Sequence, residues 1–216
     1  MYDYLFFDLD GTLTDSAPGI MNSVKHALDH FGTEVREDAP LRLFVGPPLV
    51  ESFAKYYGYS PEQAQEAIGV FREYFEPKGI FENSVYPGIP EALQYLKDHG
   101  KHLIVATAKP EEFAKRILDR FELTPYFEFV GGATMEESRA HKHEVIAYVL
   151  EELELTEEKH RVLMVGDREN DVTGARMNGL DCAGVLYGYG SVEELMEVSP
   201  KFLLDTVEDL KALALV

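Results

Sequence analysis

The sequence predicts an α/β protein, a doubly wound parallel sheet of Rossmann-like type with an inserted helical domain. Three observations carry that reading. Apolar runs of strand length recur at residues 4–9, 102–106, 127–130, 161–165 and 182–186. Helical patterns separate the later runs, and parallel strands need crossovers of that length. One long stretch, residues 16–82, breaks the alternation, with helical periodicity throughout and no strand.

The first run holds Leu5, Phe6 and Phe7 with no polar residue between them, the pattern of a strand covered on both faces, and it leads into Asp8. The insert follows. Within it, Ser60-Pro61-Glu62-Gln63 combines an N-cap, a proline at the first helical position and a glutamine able to complete a capping box, opening a helix that should run to about Phe75. Pro77 and Gly79 close that helix, and the Pro/Gly-containing stretch 83–88 marks the return to the main domain. The expected domains are therefore residues 1–15 with 83–216, and residues 16–82. Beyond the return, helices are expected at 90–99, with Leu93 and Leu96 on one face, and at 111–121, 143–153 and 170–178.

Composition narrows the function. The chain has 216 residues, of which 45% are hydrophobic, with 13 Phe and 12 Tyr, so it has ample apolar area for a core and disorder is excluded. Lys and Arg number 20 against 39 Asp and Glu, and a net charge of −19 repels polyphosphate backbones, which argues against a nucleic-acid partner. The same field resists a small anionic substrate unless a metal ion or local cations reverse it. Residues 16–82 carry only −4 of that charge and are the less repulsive part for an anion. Cys182 is the only cysteine, which rules out an intrachain disulfide and leads to the expectation of a reducing, cytoplasmic location. Asp3 and Asp8 fall where a signal peptide needs a basic start and an unbroken apolar stretch. No run approaches the roughly 20 apolar residues of a membrane span, so no membrane partner is expected.

The chemistry-bearing residues begin at Asp8 and Asp10, placed at i and i+2 at the end of the first strand. Extended backbone there puts both carboxylates on one side. Two anions in one small space need a bound cation such as Mg²⁺ or a retained proton. A calcium-binding helix-loop-helix does not fit, because Gly11 is fourth from Asp8 where that loop needs its glycine sixth. A strand-ending turn without chemistry remains the alternative for this segment taken alone.

Further residues fall into step with it. Thr107 ends the run Ile104-Val105-Ala106, Lys142 heads a later helix, and Asp167-Arg168-Glu169-Asn170-Asp171 follows another strand. In order with Asp8-Leu9-Asp10-Gly11-Thr12, these resemble the four motifs of the haloacid dehalogenase superfamily of phosphatases, and the resemblance covers essentially the whole chain. The insert just after the first motif looks like that superfamily's first cap type. Val45-Gly46-Pro47-Pro48-Leu49 and the segment Gly184-Val185-Leu186-Tyr187-Gly188-Tyr189-Gly190 look most like the phosphoglycolate phosphatase branch.

The resemblance implies a Mg²⁺-dependent phosphatase acting on small phosphate monoesters, phosphoglycolate-like or nucleotide-type. It implies Asp8 as nucleophile, forming an aspartyl-phosphate, and Asp10 as acid and then base. It implies Mg²⁺ held by the Asp8 carboxylate, the Asp10 backbone carbonyl and Asp167, and phosphoryl oxygens met by Thr107 and Lys142. Asp171 either supports this site from behind or touches the ion, the plainer alternative being a first-turn helix acid. Lys109, close to Thr107, rivals Lys142 for the phosphate, since many relatives carry Lys-Pro where this chain has Lys142-His143. Selectivity for the leaving group is expected from the cap, at Arg42, Gly46, Pro47 and Pro48. Tyr187 and Tyr189 either line a pocket or are exposed loop residues. His141 and His143 should face apart at i and i+2 on a helix, and Cys182 should be buried strand filler. Two other readings stay open: a sugar-phosphate mutase of β-phosphoglucomutase type, and a catalytically silent phospho-ligand binder. Dehalogenation has no use for an acid at Asp10.

Overall fold

Leu5, Phe6 and Phe7 are fully buried, and the strand they build, β1 (Tyr4–Phe7), is bonded on both sides in a six-stranded parallel sheet. The computed structural model describes residues 1–37, 39–136 and 138–216. In chain order the described strands and α-helices are β1, β2 (Thr14–Asp15), α1 (Ala17–His30), α2 (Leu49–Tyr57), α3 (Pro61–Phe75), β3 (Ser84–Val85), α4 (Ile89–Asp98), β4 (His102–Pro110), α5 (Glu111–Arg120) and β5 (Phe129–Ala133). They continue with α6 (Lys142–Glu152), β6 (Val162–Gly166), α7 (Glu169–Met177), β7 (Asp181–Val185), α8 (Val192–Val198) and β8 (Phe202–Leu204). Residues divide into two units, Met1–Thr14 with Val85–Val216, and Asp15–Ser84.

The sheet runs β5-β4-β1-β6-β7-β8. Chain order moves outward from β1 to β5 and then restarts beside β1 at β6, so the winding direction reverses between β1 and β6. In open parallel sheets the crevice beyond the carboxyl ends of the strands at such a reversal is where ligands bind. Strand alternation explains the packing: Phe6, Ile104, Val162 and Met164 meet Val145, Val149, Val172 and Ala175 of α6 and α7 on one face. Their neighbours Leu5, Phe7, Leu103, Val105, Leu163 and Val165 are fully buried too, as strands covered on both faces require.

The structure moves three sequence expectations. The strand expected at 127–130 lies at Phe129–Ala133, in spite of Gly131 and Gly132. Both glycines are needed there, because a Cβ on Gly131 would stand 2.3 Å from Val149 Cγ2 and one on Gly132 2.6 Å from the Glu111 Cα. The segment after residue 186 adds helix α8 and a sixth strand, β8, neither of which was anticipated. His141 and His143 do not face apart: their rings stack with centroids 5.6 Å apart, because His141 is the extended N-cap of α6 and lies outside the helical geometry.

In the unit Asp15–Ser84, Ser60 Oγ accepts from the Gln63 amide while Gln63 Oε1 accepts from the Ser60 amide, closing the capping box that the sequence predicts at the head of α3. Phe44 meets Phe53 at 5.0 Å, and Phe53 stacks on Tyr59 at 5.6 Å, an aromatic core for this unit. Gly46, Pro47 and Pro48 form the turn between a 3₁₀ turn at Leu41–Phe44 and α2, with Gly46 at φ 106°. Arg42 is exposed and lines, with Met21, Val35 and Leu41, an open cavity of about 430 Å³.

Candidate active site

Asp8 follows β1 directly and Asp167 follows β6 directly, so the reversal of winding brings the two carboxylates to one crevice although the segments are far apart in sequence. The Asp8 amide donates to the Val165 carbonyl at 2.9 Å, which locks the end of β1 to the end of β6. Residues 9–14 then fold into a tight loop in which the Leu13 and Thr14 amides both donate to the Leu9 carbonyl and the Gly11 amide to the Thr14 carbonyl. Gly11 takes φ 85°, a conformation that favours glycine.

Carboxylates of Asp8, Asp167 and Asp171 each offer an oxygen within 4.8 Å of the others, and all three residues are buried. Asp10 is not part of this cluster. Its Oδ2 pairs instead with Lys109 Nζ at 2.8 Å, and its Oδ1 is buried with no hydrogen-bond partner among the described residues. Lys142 Nζ lies 2.8 Å from Asp8 Oδ1, 2.8 Å from Asp171 Oδ1 and 3.1 Å from the Ala106 carbonyl, so its three N–H donors have three partners. Lys109 and Lys142 thus serve different aspartates. Thr107 is buried where the register of β4 shifts, and its hydroxyl oxygen accepts from the Lys109 amide at 3.2 Å, leaving the hydroxyl hydrogen to be donated elsewhere.

Burial and crowding set the charge states. Burial, and then the carboxylates of Asp171 and Asp8, push Asp167 well above the usual carboxylate range, against the pull of the Tyr189 amide. Burial likewise pushes Asp171 up to about 6, Lys142 and the Arg168 amide opposing it. Burial works against the charge on Lys142, but the flanking Asp171 and Asp8 carboxylates outweigh it and hold the ammonium's pKa above its ordinary value.

Four buried carboxylates, Asp8, Asp10, Asp167 and Asp171, face two ammonium groups, Lys109 and Lys142. A divalent cation there would relieve the crowding that pushes Asp167 and Asp171 up. The donor set suits one, since a small hard cation takes oxygen ligands at about 2.1 Å, which leaves neighbouring ligand oxygens about 3 Å and opposite ones about 4 Å apart. Asp8, Asp167 and Asp171 are the residues that fit it, so Asp171 stands among the candidate ligands and Asp10 does not contribute its carboxylate.

Two features were not legible beforehand. Tyr187 is half-buried, with its hydroxyl on the Thr12 carbonyl at 3.0 Å, so it is not an exposed loop residue. Thr12 Oγ1 donates to Asp167 Oδ1 at 3.3 Å, and the Tyr189 amide donates to Asp167 Oδ2 at 2.7 Å. The sequence signal was Gly188-Tyr189-Gly190 straight after a strand, a hint that backbone passes something closely. Cys182 is buried in β7 as expected, and burial pushes its thiol up. Arg42, Gly46, Pro47 and Pro48 all lie in the unit Asp15–Ser84.

Comparisons with known proteins point to one family, in which the relatives' names describe different activities. A family model described as haloacid dehalogenase-like hydrolase matches residues 5–185. A protein named 5'-nucleotidase from Pseudomonas aeruginosa is 42% identical over 199 residues, covering 92% of this chain and 89% of the relative. Phosphoglycolate phosphatase 1 of the same organism is 30% identical over 215 residues, covering 95% and 77%. A relative named tyrosine-protein kinase PtkA from Mycobacterium tuberculosis is 40% identical over 209 residues, covering 96% and 70%. A crystal structure described as a predicted phosphatase from Clostridium acetobutylicum superposes with a TM-score of 0.95 at 46% identity, covering 100% of this chain and 99% of that one.

Proposed function

Since the chain belongs to the haloacid dehalogenase-like hydrolase family and is a phosphoric monoester hydrolase, we propose that it hydrolyses small phosphate monoesters in two steps through an aspartyl-phosphate on Asp8, with Mg²⁺ bound by Asp8, Asp167 and Asp171 and by the Asp10 backbone carbonyl. One observation carries the assignment: Asp8 and Asp10, two residues apart, are held by different lysines, Lys142 and Lys109, so the two carboxylates occupy separate environments and can take separate roles. An Asp8 oxygen attacks phosphorus and the bond from phosphorus to the ester oxygen breaks. Asp10 gives its proton to the departing oxygen. It then accepts a proton from the water that attacks the acyl phosphate, inorganic phosphate leaves, and Asp8 is restored.

The remaining groups handle charge. Thr107 donates its hydroxyl to a phosphoryl oxygen, and Lys142 holds Asp8 in place and offsets phosphoryl charge in a strongly acidic protein. When bound, Mg²⁺ supplies the positive charge that lets a phosphate dianion enter among four aspartates. Nucleotide-type and phosphoglycolate-like esters are the substrate classes to test first, because relatives on either side carry those names.

The test is phosphate release from a panel of nucleoside 5'-monophosphates, 2-phosphoglycolate, hexose phosphates and a generic aryl phosphate, with Mg²⁺. Asp8→Asn should abolish release with unchanged circular dichroism, since the amide keeps the shape and loses the nucleophilic charge. Turnover by that variant, with deamidation excluded by mass spectrometry, removes Asp8 from the nucleophile role. Conversion of one hexose phosphate into its isomer without phosphate release identifies a mutase, and absence of turnover on every ester leaves a silent binder. Labelled phosphate passing to a protein hydroxyl identifies the acceptor chemistry that the mycobacterial relative's name describes for that protein.

A further inference from the structure

Asp167 is gripped by two loops. From one, Thr12 Oγ1 donates to Asp167 Oδ1 at 3.3 Å; from the other, which follows β7, the Tyr189 amide donates to Asp167 Oδ2 at 2.7 Å. Tyr187 ties the loops together by donating its hydroxyl to the Thr12 carbonyl at 3.0 Å, and its ring meets Tyr86 edge-on at 5.3 Å.

Glycines permit the grip. A Cβ on Gly188 would lie 2.4 Å from Asp167 Cβ and 2.3 Å from the Gly11 carbonyl oxygen, one on Gly190 would lie 1.9 Å from the Asp167 carbonyl oxygen, and one on Gly11 would lie 2.3 Å from Asp167 Oδ2. No side chain fits at these positions without moving Asp167 or its loop. Each oxygen of Asp167 therefore has one lone pair engaged by a loop donor and keeps another for a cation.

We propose that the Tyr187–Gly190 loop is a clamp that sets the divalent-cation affinity of the site, with Tyr187 a positioning residue that acts on Asp167 through Thr12. The proposal deepens the metal-dependent reading above and rests on it. Asp167 is fully buried beside two other carboxylates that repel it, so without fixed donors its ligand oxygen has no reason to stay aimed into the cluster. The clamp orients it before the cation arrives. Groups that orient metal ligands in this way commonly change metal affinity about tenfold to a hundredfold when removed.

The experiment is a substrate-free Mn²⁺ titration followed by electron paramagnetic resonance of the free ion. It compares the unmodified protein, Tyr187→Phe and Gly188→Ala, each folded by circular dichroism at the titration temperature. Tyr187→Phe should raise the Mn²⁺ dissociation constant about tenfold, and Gly188→Ala at least as much. Turnover lost by Tyr187→Phe at limiting Mg²⁺ should be rescued by more Mg²⁺, with the KM for the ester unchanged. If Tyr187 instead lined a substrate pocket, KM would rise at saturating metal and Mn²⁺ binding would stay intact, which overturns the clamp. Equal Mn²⁺ affinity in Tyr187→Phe and the unmodified protein overturns the clamp alone, whereas absence of Mn²⁺ binding by the unmodified protein overturns the metal-dependent reading and the clamp with it. Should Gly188→Ala fail to fold, Tyr187→Phe decides, because it removes a single oxygen.

Discussion

Replacing Lys142 by Met removes the ammonium and keeps most of the apolar stem. That ammonium stands 2.8 Å from both Asp8 Oδ1 and Asp171 Oδ1, and all three residues are buried. Without it, two buried carboxylates are left facing each other, and breaking a buried ion pair by deleting one partner costs about 3–5 kcal/mol. Each kcal/mol shifts the melting temperature of a chain this size by about 2–4 °C, so the metal-free variant should melt roughly 6–20 °C lower at neutral pH. The pH dependence has a definite sign. Asp171 sits at about 6 in the fold against an ordinary 3.8; a raised carboxylate has its full stability below the unfolded value and loses it as pH rises through the folded one. Deleting Lys142 raises Asp171 further, so the deficit should be largest at about pH 7.5 and should shrink on acidification toward about pH 5.5. Scanning calorimetry in chelator at both pH values measures this. A drop below about 2 °C at the higher pH, or a deficit that grows on acidification, refutes the reasoning.

Two further outcomes are expected. Chelator should abolish turnover, and Mg²⁺ at about 100 times its dissociation constant should stabilise the protein by roughly 2.7 kcal/mol; Ca²⁺ should inhibit, because it takes more oxygens at longer distances and draws both Asp8 oxygens out of line. Full activity in chelator defeats the metal assignment. In the helical unit, Arg42→Ala, or Gly-Ser in place of Pro47-Pro48, should lower kcat/KM for the preferred ester about tenfold or more, with a much smaller loss on an aryl phosphate; equal loss on both, or none on either, moves the search for selectivity elsewhere.

The parts of this protein that the sequence revealed are those fixed by local chemistry. The unbroken apolar run Leu5-Phe6-Phe7 has the pattern of a strand buried on both faces, and a chain that leaves it through Asp8 and Asp10 puts carboxylates where a parallel sheet binds ligands. Ser60 and Gln63 announced the start of α3 because both capping partners are four residues or fewer apart. What stayed hidden depended on distant partners. Gly131 and Gly132 lower strand propensity, and only the nearness of Val149 and Glu111 explains why they are tolerated in β5. Three residues, Phe202–Leu204, are too few to show a period and become a strand only because β7 offers an open edge. Nothing local to Lys109 says that it pairs with Asp10, or to Tyr187 that it reaches Thr12; both partnerships are made by loops meeting at one end of the sheet.

The restart of the sheet beside β1 also orders events in time. Thr12 and Asp167 are 155 residues apart, and β1 cannot gain β6 as its second neighbour until residues 162–166 exist. At translation rates of about 5–20 residues per second, the loop that carries Asp8 and Asp10 leaves the ribosome roughly 8–30 s before Asp167. Until β4 (His102–Pro110) is made both edges of β1 are open, and from then until β6 emerges one remains, an unpaired row of backbone donors and acceptors of the kind that pairs with the wrong chain. Because β4 and β6 take opposite edges of β1, docking of β4 leaves the β6 edge uncovered, and that edge, at the end of which Asp8 sits, closes only when β6 emerges.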